Sequence, residues 1–429
     1  MTTELLQQVR VIDPVSQTDQ VSDVLITNGE IQAVATQIAD LSPDTQVRDC
    51  RGLVLGTGLV DLYSHSGEPG FEERETLLSF LQAAAAGGFT RVSILPDTSP
   101  AIDHPALVAQ LQKGRGGQGI ISSLSSSRLC LPRLNIWGAI TLDVAGKQIT
   151  ELTDLAAEGV VGFTDGLPLD NLGLVRRLLE YVQPLGKPVA FWPCDRQLTS
   201  NGVMREGADA LRFGLPPIPT SAETTAIAAL IELVANIGTP VHIMRVSTAR
   251  SVELLAAAKA QGLPITASTT WMHLLLDTKA VKSYHTSLHL DPPLGNPSDM
   301  QALRAAVRAG VVDAIAIDHS PYTYEEKVQA FAEAPPGAIG LELALPLLWQ
   351  HLVETGEFTA LQLWQALSPK PAECLREKVS PIAPHHPAEL TLFDPQKTWK
   401  VESKTLHSLS HNTPWLGQEL QGRVLQTWC

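Results

Sequence analysis

The sequence contains no uninterrupted apolar run of about eighteen residues, the length that a membrane-spanning helix requires. Its first residues, MTTELLQQVR, lack the charged-then-apolar profile of a secretory signal peptide. Cysteine is scarce, odd in number and scattered, without any CxxC pair, at Cys50, Cys130, Cys194, Cys374 and Cys429. These absences predict a cytoplasmic protein whose thiols stay reduced.

The sequence also lacks an excess of basic residues and lacks phosphate-binding loops. The chain carries 31 lysines and arginines against 45 aspartates and glutamates, a net charge of −14, which disfavours nonspecific nucleic-acid binding. Neither G-x-G-x-x-G nor GxxxxGK[ST] occurs. Serines cluster between residues 122 and 127, but no histidine stands beside them to act as a base. We therefore expect neither a nucleic acid nor a membrane as a partner.

The composition that remains, 44% apolar and 18% charged, is typical of a well-packed globular protein. Both ends of the chain are rich in short strand patterns. Asn28-Gly29 stands between alternating apolar residues, which is a signal for a β-hairpin. Three prolines, at 381, 384 and 387, precede the strand patterns AELTLFDP and GRVLQTW. We predict one small β domain, a β-sandwich, assembled from residues 1–56 and 381–429.

The middle of the chain alternates strand and helix patterns. Helical patterns such as Leu77–Ala86 and Ser221–Ile237 separate apolar strand patterns at residues 59–62, 91–95, 134–140, 159–163, 189–192, 240–246, 265–268 and 314–317. Units of this kind predict a (β/α)8 TIM barrel over residues 57–380, and an open doubly wound sheet is the weaker alternative. The fold class is therefore α/β.

Polar residues follow the first and the last of these strands. The first runs into Asp61-Leu62-Tyr63-Ser64-His65, and the last ends at Asp318-His319. The C-terminal edge of a (β/α)8 barrel carries its chemistry. A metal site at such an edge draws its ligands from several strand ends.

The order of motifs resembles that of the class I dihydroorotases, cyclic amidohydrolases of pyrimidine synthesis in the amidohydrolase superfamily. The resemblance covers essentially the whole chain, and it implies a zinc-dependent hydrolase on a TIM barrel. The stretches that carry it are GLVDLYSHSGEPG, AAAAGGFTRVSILPDTSP, FTDG, PPIPTSAE, VHIMRVSTARSVELL, TWMHLLL, DPPLGNPSDMQAL, DAIAIDHSPYTYEEK, GAIGLELALPLL, AELTLFDP and SHNTPWLGQELQGRV.

The resemblance also shows where this chain departs from the family. The four histidine ligands of the family correspond to Tyr63, His65, Trp192 and Arg245 in this chain. Only one of the four histidines is therefore present. The carboxylate ligand of the family corresponds to Asp165 or to Thr164, and the sequence leaves both open. The catalytic aspartate is retained as Asp318, with His319 beside it.

The positions that hold substrate in the family have changed as well. They correspond to Gly67, where the family has an arginine, to Asp97 and Asp291, where it has asparagines, and to His319. An arginine fork is the natural clamp for the carboxylate of dihydroorotate. Replacing it by glycine and adding two carboxylates makes the pocket unfavourable for an anion.

We therefore expect a degenerate, noncatalytic dihydroorotase-like protein, a pseudoenzyme without zinc in which Asp318 is idle. The resemblance implies an oligomer in which the chain is a structural partner of aspartate transcarbamoylase. The alternative is an active dihydroorotase or other cyclic amidohydrolase with altered metal ligation, for example a single metal on His65, Asp318 and His319.

A buried carboxylate that has lost its metal needs another cation. Arg245 has the reach and the donors to supply one. The sequence therefore predicts that the Arg245 guanidinium lies within salt-bridge distance of Asp318 or Asp165. It also predicts that Tyr63 and Trp192 fill the volume of the metals.

Overall fold

The computed structural model describes residues 3–39, 41–116 and 131–429. Cys130 and the serines between 122 and 127 lie outside the described residues. In the part that is described, no helix is both long enough and apolar enough to cross a bilayer. Cys50, Cys194 and Cys374 are free thiols, of which Cys50 and Cys374 are buried.

Five strands precede the barrel: β1 (Thr3–Asp13), β2 (Thr18–Thr27), β3 (Glu30–Ala35), β4 (Gln46–Asp49) and β5 (Val54–Thr57). The turn between β2 and β3 consists of Asn28 and Gly29, with φ of 52° and 79°. Two successive positive φ angles match the right-handed twist of a hairpin and favour these two residue types. The hairpin expected from the sequence is confirmed.

The middle of the chain forms an eight-stranded parallel sheet that curls into the expected barrel. A separate two-stranded sheet, formed by Met204–Arg205 and Pro217–Ile218, lies in one of the connections. In chain order the strands are β6 (Leu59–Val60), β7 (Phe89–Ile94), β8 (Arg133–Gly138), β9 (Gly162–Phe163), β10 (Val189–Phe191), β11 (Met204–Arg205), β12 (Pro217–Ile218), β13 (Val241–Ile243), β14 (Ile265–Thr270) and β15 (Ala314–Ala316).

Helices connect these strands, and their apolar faces pack on the buried sheet. The first begins at Thr76, whose side chain accepts a hydrogen bond from Ser79 N, a capping arrangement that fixes the helix start. The α-helices are Leu77–Ala86, Pro105–Gly116, Leu152–Ala157, Leu172–Val182, Arg196–Thr199, Ala208–Phe213, Ser221–Ile237, Ala249–Ala260, Trp271–Leu275, Pro297–Ala309, Tyr324–Lys327, Ala344–Leu348, Ala360–Leu367 and Pro369–Cys374. Shorter helical turns are Leu142–Val144, Gln183–Leu185, Thr278–Ser283, Thr286–Leu288 and Trp349–Val353.

Hydrogen bonds beyond the strand ends connect the first and last strands of the barrel. Asp318 N donates to Tyr63 O at 3.1 Å, and His65 N donates to His319 O at 2.8 Å. The buried carboxylate of Asp61 accepts from Ile317 N at 2.8 Å. Because of this closure, the polar residues that follow β6 lie beside those that follow β15.

The two ends of the chain meet in one connected sheet that is separate from the barrel sheet, as expected from the sequence. Its strand order is β17-β16-β5-β1-β2-β3, with β4 paired to β1, where β16 is Leu390–Lys400 and β17 is Glu419–Trp428. This sheet has its own apolar core, which includes Leu6, Leu55 and Leu392. Residues 401–418 leave the sheet and return to the barrel, where Ser408 donates to Glu75 and Asn412 Nδ2 donates to Ser320 O at 2.8 Å.

Replacing Asp61 tests the barrel closure. We expect Asp61→Ala to lower the free energy of unfolding by about 1–3 kcal/mol, because the buried Ile317 N–H loses its acceptor. Asp61→Asn keeps an oxygen for Ile317 N and serves as the matched control. Chemical denaturation of the three proteins measures the difference, and equal losses in both variants would contradict this role.

The pH dependence of the same comparison follows from the charge of Asp61. Burial raises the pKa of Asp61 to about 7, against hydrogen bonds from Ser64 and Ile317 that lower it. Between the ordinary value of 3.8 and 7 the folded state therefore binds more protons, so the contribution of Asp61 to stability falls as pH rises. The Asn variant lacks this titration. Its free energy of unfolding should therefore rise relative to that of the wild type between pH 5 and pH 8.

Candidate functional site

The candidate site lies at the C-terminal edge of the barrel, where the family resemblance places a metal centre. Trp192 directly follows β10, and Arg245 and Asp318 each follow their strand by two residues. Arg245 and Asp318 have φ of 55° and 53°, in the left-handed region that non-glycine residues seldom adopt. Backbone strain of this kind is concentrated at functional sites, so the local chain geometry marks this edge as one.

A bidentate ion pair between Arg245 and Asp318 forms the centre of the site. Arg245 Nε donates to Asp318 Oδ2 at 2.8 Å, and Nη2 donates to Oδ1 at 2.6 Å. Arg245 Nη1 donates to Gly166 O at 3.0 Å. Burial alone would raise the pKa of Asp318, but Arg245 and His65 hold it far below its usual range. The contact predicted from the sequence is confirmed.

His65 lies beside this pair and connects it to a second carboxylate. Its Nδ1 is 2.7 Å from Asp97 Oδ2, and its Nε2 is 3.6 Å from Asp318 Oδ1 and 3.1 Å from Arg245 Nη2. Burial lowers the pKa of His65, but the carboxylates of Asp97 and Asp318 outweigh burial and raise it to about 9. With His65 protonated, the two cations and the two carboxylates carry no net charge.

Aromatic rings enclose the guanidinium group. Tyr63 is fully buried, and its hydroxyl lies 3.0 Å from Ser268 Oγ and accepts from Arg245 N at 3.1 Å. The Trp192 ring centroid is 4.5 Å from Arg245 Cζ and 4.7 Å from Arg196 Cζ, distances typical of cation–π contacts. The two aromatic residues at former histidine positions therefore hold Arg245 through ring contacts and a backbone hydrogen bond.

Several residues of the site were not identified from the sequence. His242 Nε2 is 2.9 Å from Ser268 Oγ, and its Nδ1 is 2.9 Å from Thr266 Oγ1, so these residues position Tyr63 from within the barrel. Burial lowers the pKa of His242 to about 3, which keeps the ring neutral. Thr266 and Ser268 alternate along β14, and this period of two is the sequence signal for residues on one face of a strand.

A cavity of about 180 Å³ opens beside the ion pair. His65, Arg245 and Asp318 line it, together with two of the four expected substrate positions, Asp97 and Asp291. Arg196 lies at this cavity and pairs with Asp291 at 2.7 Å. Its charged groups are therefore largely paired with one another.

The other two expected substrate positions do not line this cavity. Gly67 packs against backbone, and a Cβ there would lie 2.3 Å from Glu75 O, so this loop has no room for an arginine. His319 is almost completely buried, with Nε2 3.4 Å from Glu75 Oε2 and its ring against Phe80. His319 thus belongs to the packing beneath the site.

The sequence left open whether Asp165 or Thr164 corresponds to the carboxylate ligand of the family. Neither residue lines the cavity. Asp165 accepts from Thr141 N at 2.9 Å and from Thr141 Oγ1 at 2.6 Å, and burial raises its pKa to about 6. The Thr164 hydroxyl lies 3.6 Å from Met244 Sδ. Gly166 instead contacts Arg245, through its carbonyl oxygen.

These residues do not fit a zinc ion. Zinc in proteins takes three or four histidine, cysteine or carboxylate ligands. Across residues 3–39, 41–116 and 131–429, no group of three or more such side chains is arranged to hold a metal ion. At the site itself, both oxygens of Asp318 and both nitrogens of His65 already contact other side chains.

Comparisons with known proteins agree with the resemblance. A family model described as "Dihydro-orotase-like" matches residues 52–251. A "Probable dihydroorotase-like protein" of Synechocystis sp. (strain ATCC 27184 / PCC 6803 / Kazusa) is 43% identical over 444 residues, covering 99% of each chain. A dihydroorotase of Pelotomaculum thermopropionicum (strain DSM 13744 / JCM 10971 / SI) is 37% identical over 421 residues, covering 97% of this chain and 95% of that one.

Solved structures support the same fold at lower identity. L-Hydantoinase (dihydropyrimidinase) from Arthrobacter aurescens superposes with a TM-score of 0.83 at 20% identity, covering 100% of this chain and 94% of that one. Dihydropyrimidinase from Brevibacillus agri NCHU1002 gives 0.80 at 20% identity, with the same coverage. The hydantoinases establish the architecture alone, whereas the sequence relatives share almost the full length. The chain therefore belongs to the dihydroorotase-like family.

Proposed function

We propose that this chain is a dihydroorotase-like protein in which Arg245 takes the place of zinc, and that it does not hydrolyse dihydroorotate. The observation that carries the proposal is the bidentate contact of Arg245 with Asp318. A general base must be free to accept a proton and needs a pKa near the working pH. Asp318 meets neither condition, because both of its oxygens accept from Arg245 and its pKa is strongly lowered.

Electrostatics supports the loss of the metal. Unit charges about 4 Å apart interact by about 4 kcal/mol at an effective dielectric constant of 20, and a divalent ion doubles that repulsion. The Arg245 guanidinium is almost completely buried, so water does little to screen it. Asp97 pairs with His65 and Asp291 pairs with Arg196, so neither of these two cations is free to hold an anionic substrate.

The proposed role is structural. A barrel that keeps its scaffold while its site is closed by internal contacts is suited to assembly. By analogy with degenerate relatives in the family, we propose aspartate transcarbamoylase as the partner, in an oligomer whose interface buries at least ~1,000 Å². A partnership of this kind explains a retained fold without retained chemistry.

Metal content and activity test the noncatalytic proposal. We expect purified wild-type protein to contain no stoichiometric zinc after dialysis and to form no carbamoyl aspartate from dihydroorotate. Elemental analysis and a hydrolysis assay measure the two quantities, with the Pelotomaculum dihydroorotase assayed in parallel as the positive control. About one metal ion per chain together with turnover would instead support an active hydrolase with altered ligation.

Removing the guanidinium tests whether Arg245 compensates the buried charge. We expect Arg245→Ala to lower the free energy of unfolding by about 3–5 kcal/mol, because the buried carboxylate of Asp318 loses its bidentate partner and keeps only His65, 3.6 Å away. Adding Asp318→Asn should recover a large part of that loss, since it removes the charge. Denaturation in urea at pH 7 measures both effects.

Arg196→Ala is the matched control for this experiment. Arg196 contacts the same Trp192 ring and also pairs with an aspartate, but 39% of its side chain is exposed. We expect a loss of at most about 1 kcal/mol, the range of exposed ion pairs. If Arg245→Ala were as mild as this control, Arg245 would not be a substitute for the metal.

The proposed partnership has its own test in the native cell. We expect the chain to co-purify with aspartate transcarbamoylase, and a strain without the chain to contain transcarbamoylase of smaller assembly size and lower activity. Size-exclusion chromatography and transcarbamoylase assays of the two strains measure this. A transcarbamoylase that is fully assembled and active without the chain would rule out the scaffold role.

A further inference from the structure

A cavity larger than the one beside the ion pair lies elsewhere on the surface of the barrel. It measures about 800 Å³ and is formed by residues 322–328, which follow the last barrel strand, and by residues 403–416 of the C-terminal return. His285, Thr286 and Ser287 line its third side. We call this cavity the Tyr324 groove. Tyr322 lines both the groove and the cavity beside Arg245.

The groove gathers exposed apolar side chains. Tyr324, Val328, Leu409 and Leu416 all line it, and their exposures are 78%, 60%, 49% and 46%. Single exposed apolar residues are ordinary, but several in one concave surface mark a site of protein association. Aromatic and aliphatic anchors of this kind supply most of the binding energy at protein interfaces.

Apart from its two histidines, the lining of the groove carries two carboxylates and one lysine, so its net charge is negative. Glu73 and Glu325 line it and are exposed, and among the described residues neither forms an ion pair with a cation. Lys327 is almost buried, and its Nζ donates to Pro335 O at 2.6 Å. Lys404 follows the lining residue Ser403 but does not line the groove, and it shares Glu402 with Lys400. A partner that presents cationic side chains would therefore complement the charge of this surface.

The walls of the groove are held in place before any partner arrives. Asn412 Nδ2 donates to Ser320 O at 2.8 Å, and Tyr322 N donates to Asn412 Oδ1 at 3.2 Å, which joins the two walls. Leu409 N donates to Glu75 Oε1 at 3.1 Å. A preorganised surface avoids much of the ordering cost of association.

From the apolar anchors and the unpaired carboxylates, we propose that the Tyr324 groove binds a segment of a partner protein that presents aliphatic or aromatic side chains flanked by lysine or arginine. A second copy of this chain is a poorer occupant, because a chain of net charge −14 brings further negative charge to an acidic groove. The groove also adjoins the closed site through Tyr322, so its occupant would lie next to the cavity mouth.

Three variants of exposed residues test this proposal with little risk to folding. Val328→Ser with Leu409→Ser removes apolar anchors, and Glu73→Gln with Glu325→Gln removes the negative charge. Leu211→Ser is the matched control, because Leu211 is 85% exposed on the helix Ala208–Phe213 and does not line the groove. Thermal denaturation of each variant confirms that its fold is intact.

The first probe is a short peptide with a Leu-Phe-Leu centre flanked by lysines, compared with the same peptide carrying glutamates. By fluorescence anisotropy, we expect the wild type to bind the lysine peptide at least about tenfold more tightly than the glutamate peptide. Both groove variants should weaken that binding severalfold, and Leu211→Ser should leave it unchanged. Equal binding of the two peptides, or binding that the groove variants leave intact, would overturn the proposal.

The second probe is the catalytic chain of aspartate transcarbamoylase from the same cell, a choice that rests on the proposed function. If it binds the wild type and the Leu211 variant but not the groove variants, the groove is its docking site. If it binds all four proteins alike, the groove proposal fails and the partnership stands. If it binds none while the lysine peptide binds, the partnership fails and the groove stands. Self-association of the wild type that the groove variants abolish would identify a second copy as the occupant and overturn the proposal.

Discussion

The ion pair of Arg245 with Asp318 is the interaction on which the rest of the site depends. A buried carboxylate is costly unless its charge and its hydrogen-bonding capacity are both satisfied. Arg245 supplies two parallel hydrogen bonds to Asp318, while the third donor direction is taken by Gly166. The geometry is the favourable one for arginine and carboxylate, and a lysine in this place could not reproduce it.

Charge balance explains how the site can exist without a metal centre. His65 and Arg245 provide two positive charges within hydrogen-bonding distance of Asp97 and Asp318, which provide two negative ones. In this arrangement the side chains supply the cationic charge that ligating carboxylates otherwise take from a metal. Tyr63 is fully buried in the barrel and its hydroxyl bonds to Ser268. The three side chains at positions where the family has histidine ligands depend on one another, because Tyr63 and Trp192 both contact Arg245.

The sequence predicted the strand ends and their order, and with them the meeting of Arg245 and Asp318, because parallel strands bring their C-terminal residues to one edge. It did not predict that Asp165 turns towards Thr141, since a side-chain direction depends on which donor lies nearby in three dimensions. The exclusion of Gly67 from the cavity depends likewise on a tight local loop. Both features depend on local three-dimensional geometry, which the spacing of residues does not encode.

The hydrogen bonds that close the barrel involve different side chains from the ion pair of Arg245 with Asp318. Asp61 joins the first strand to the last through Ile317 N. The C-terminal return is fixed to the barrel by Glu75 and Asn412. The proposed loss of the catalytic centre would therefore leave both the closure and the Tyr324 groove intact. A surface that survives in this way can be selected for association while the site beneath it is closed, which is how a shared fold comes to serve a different role.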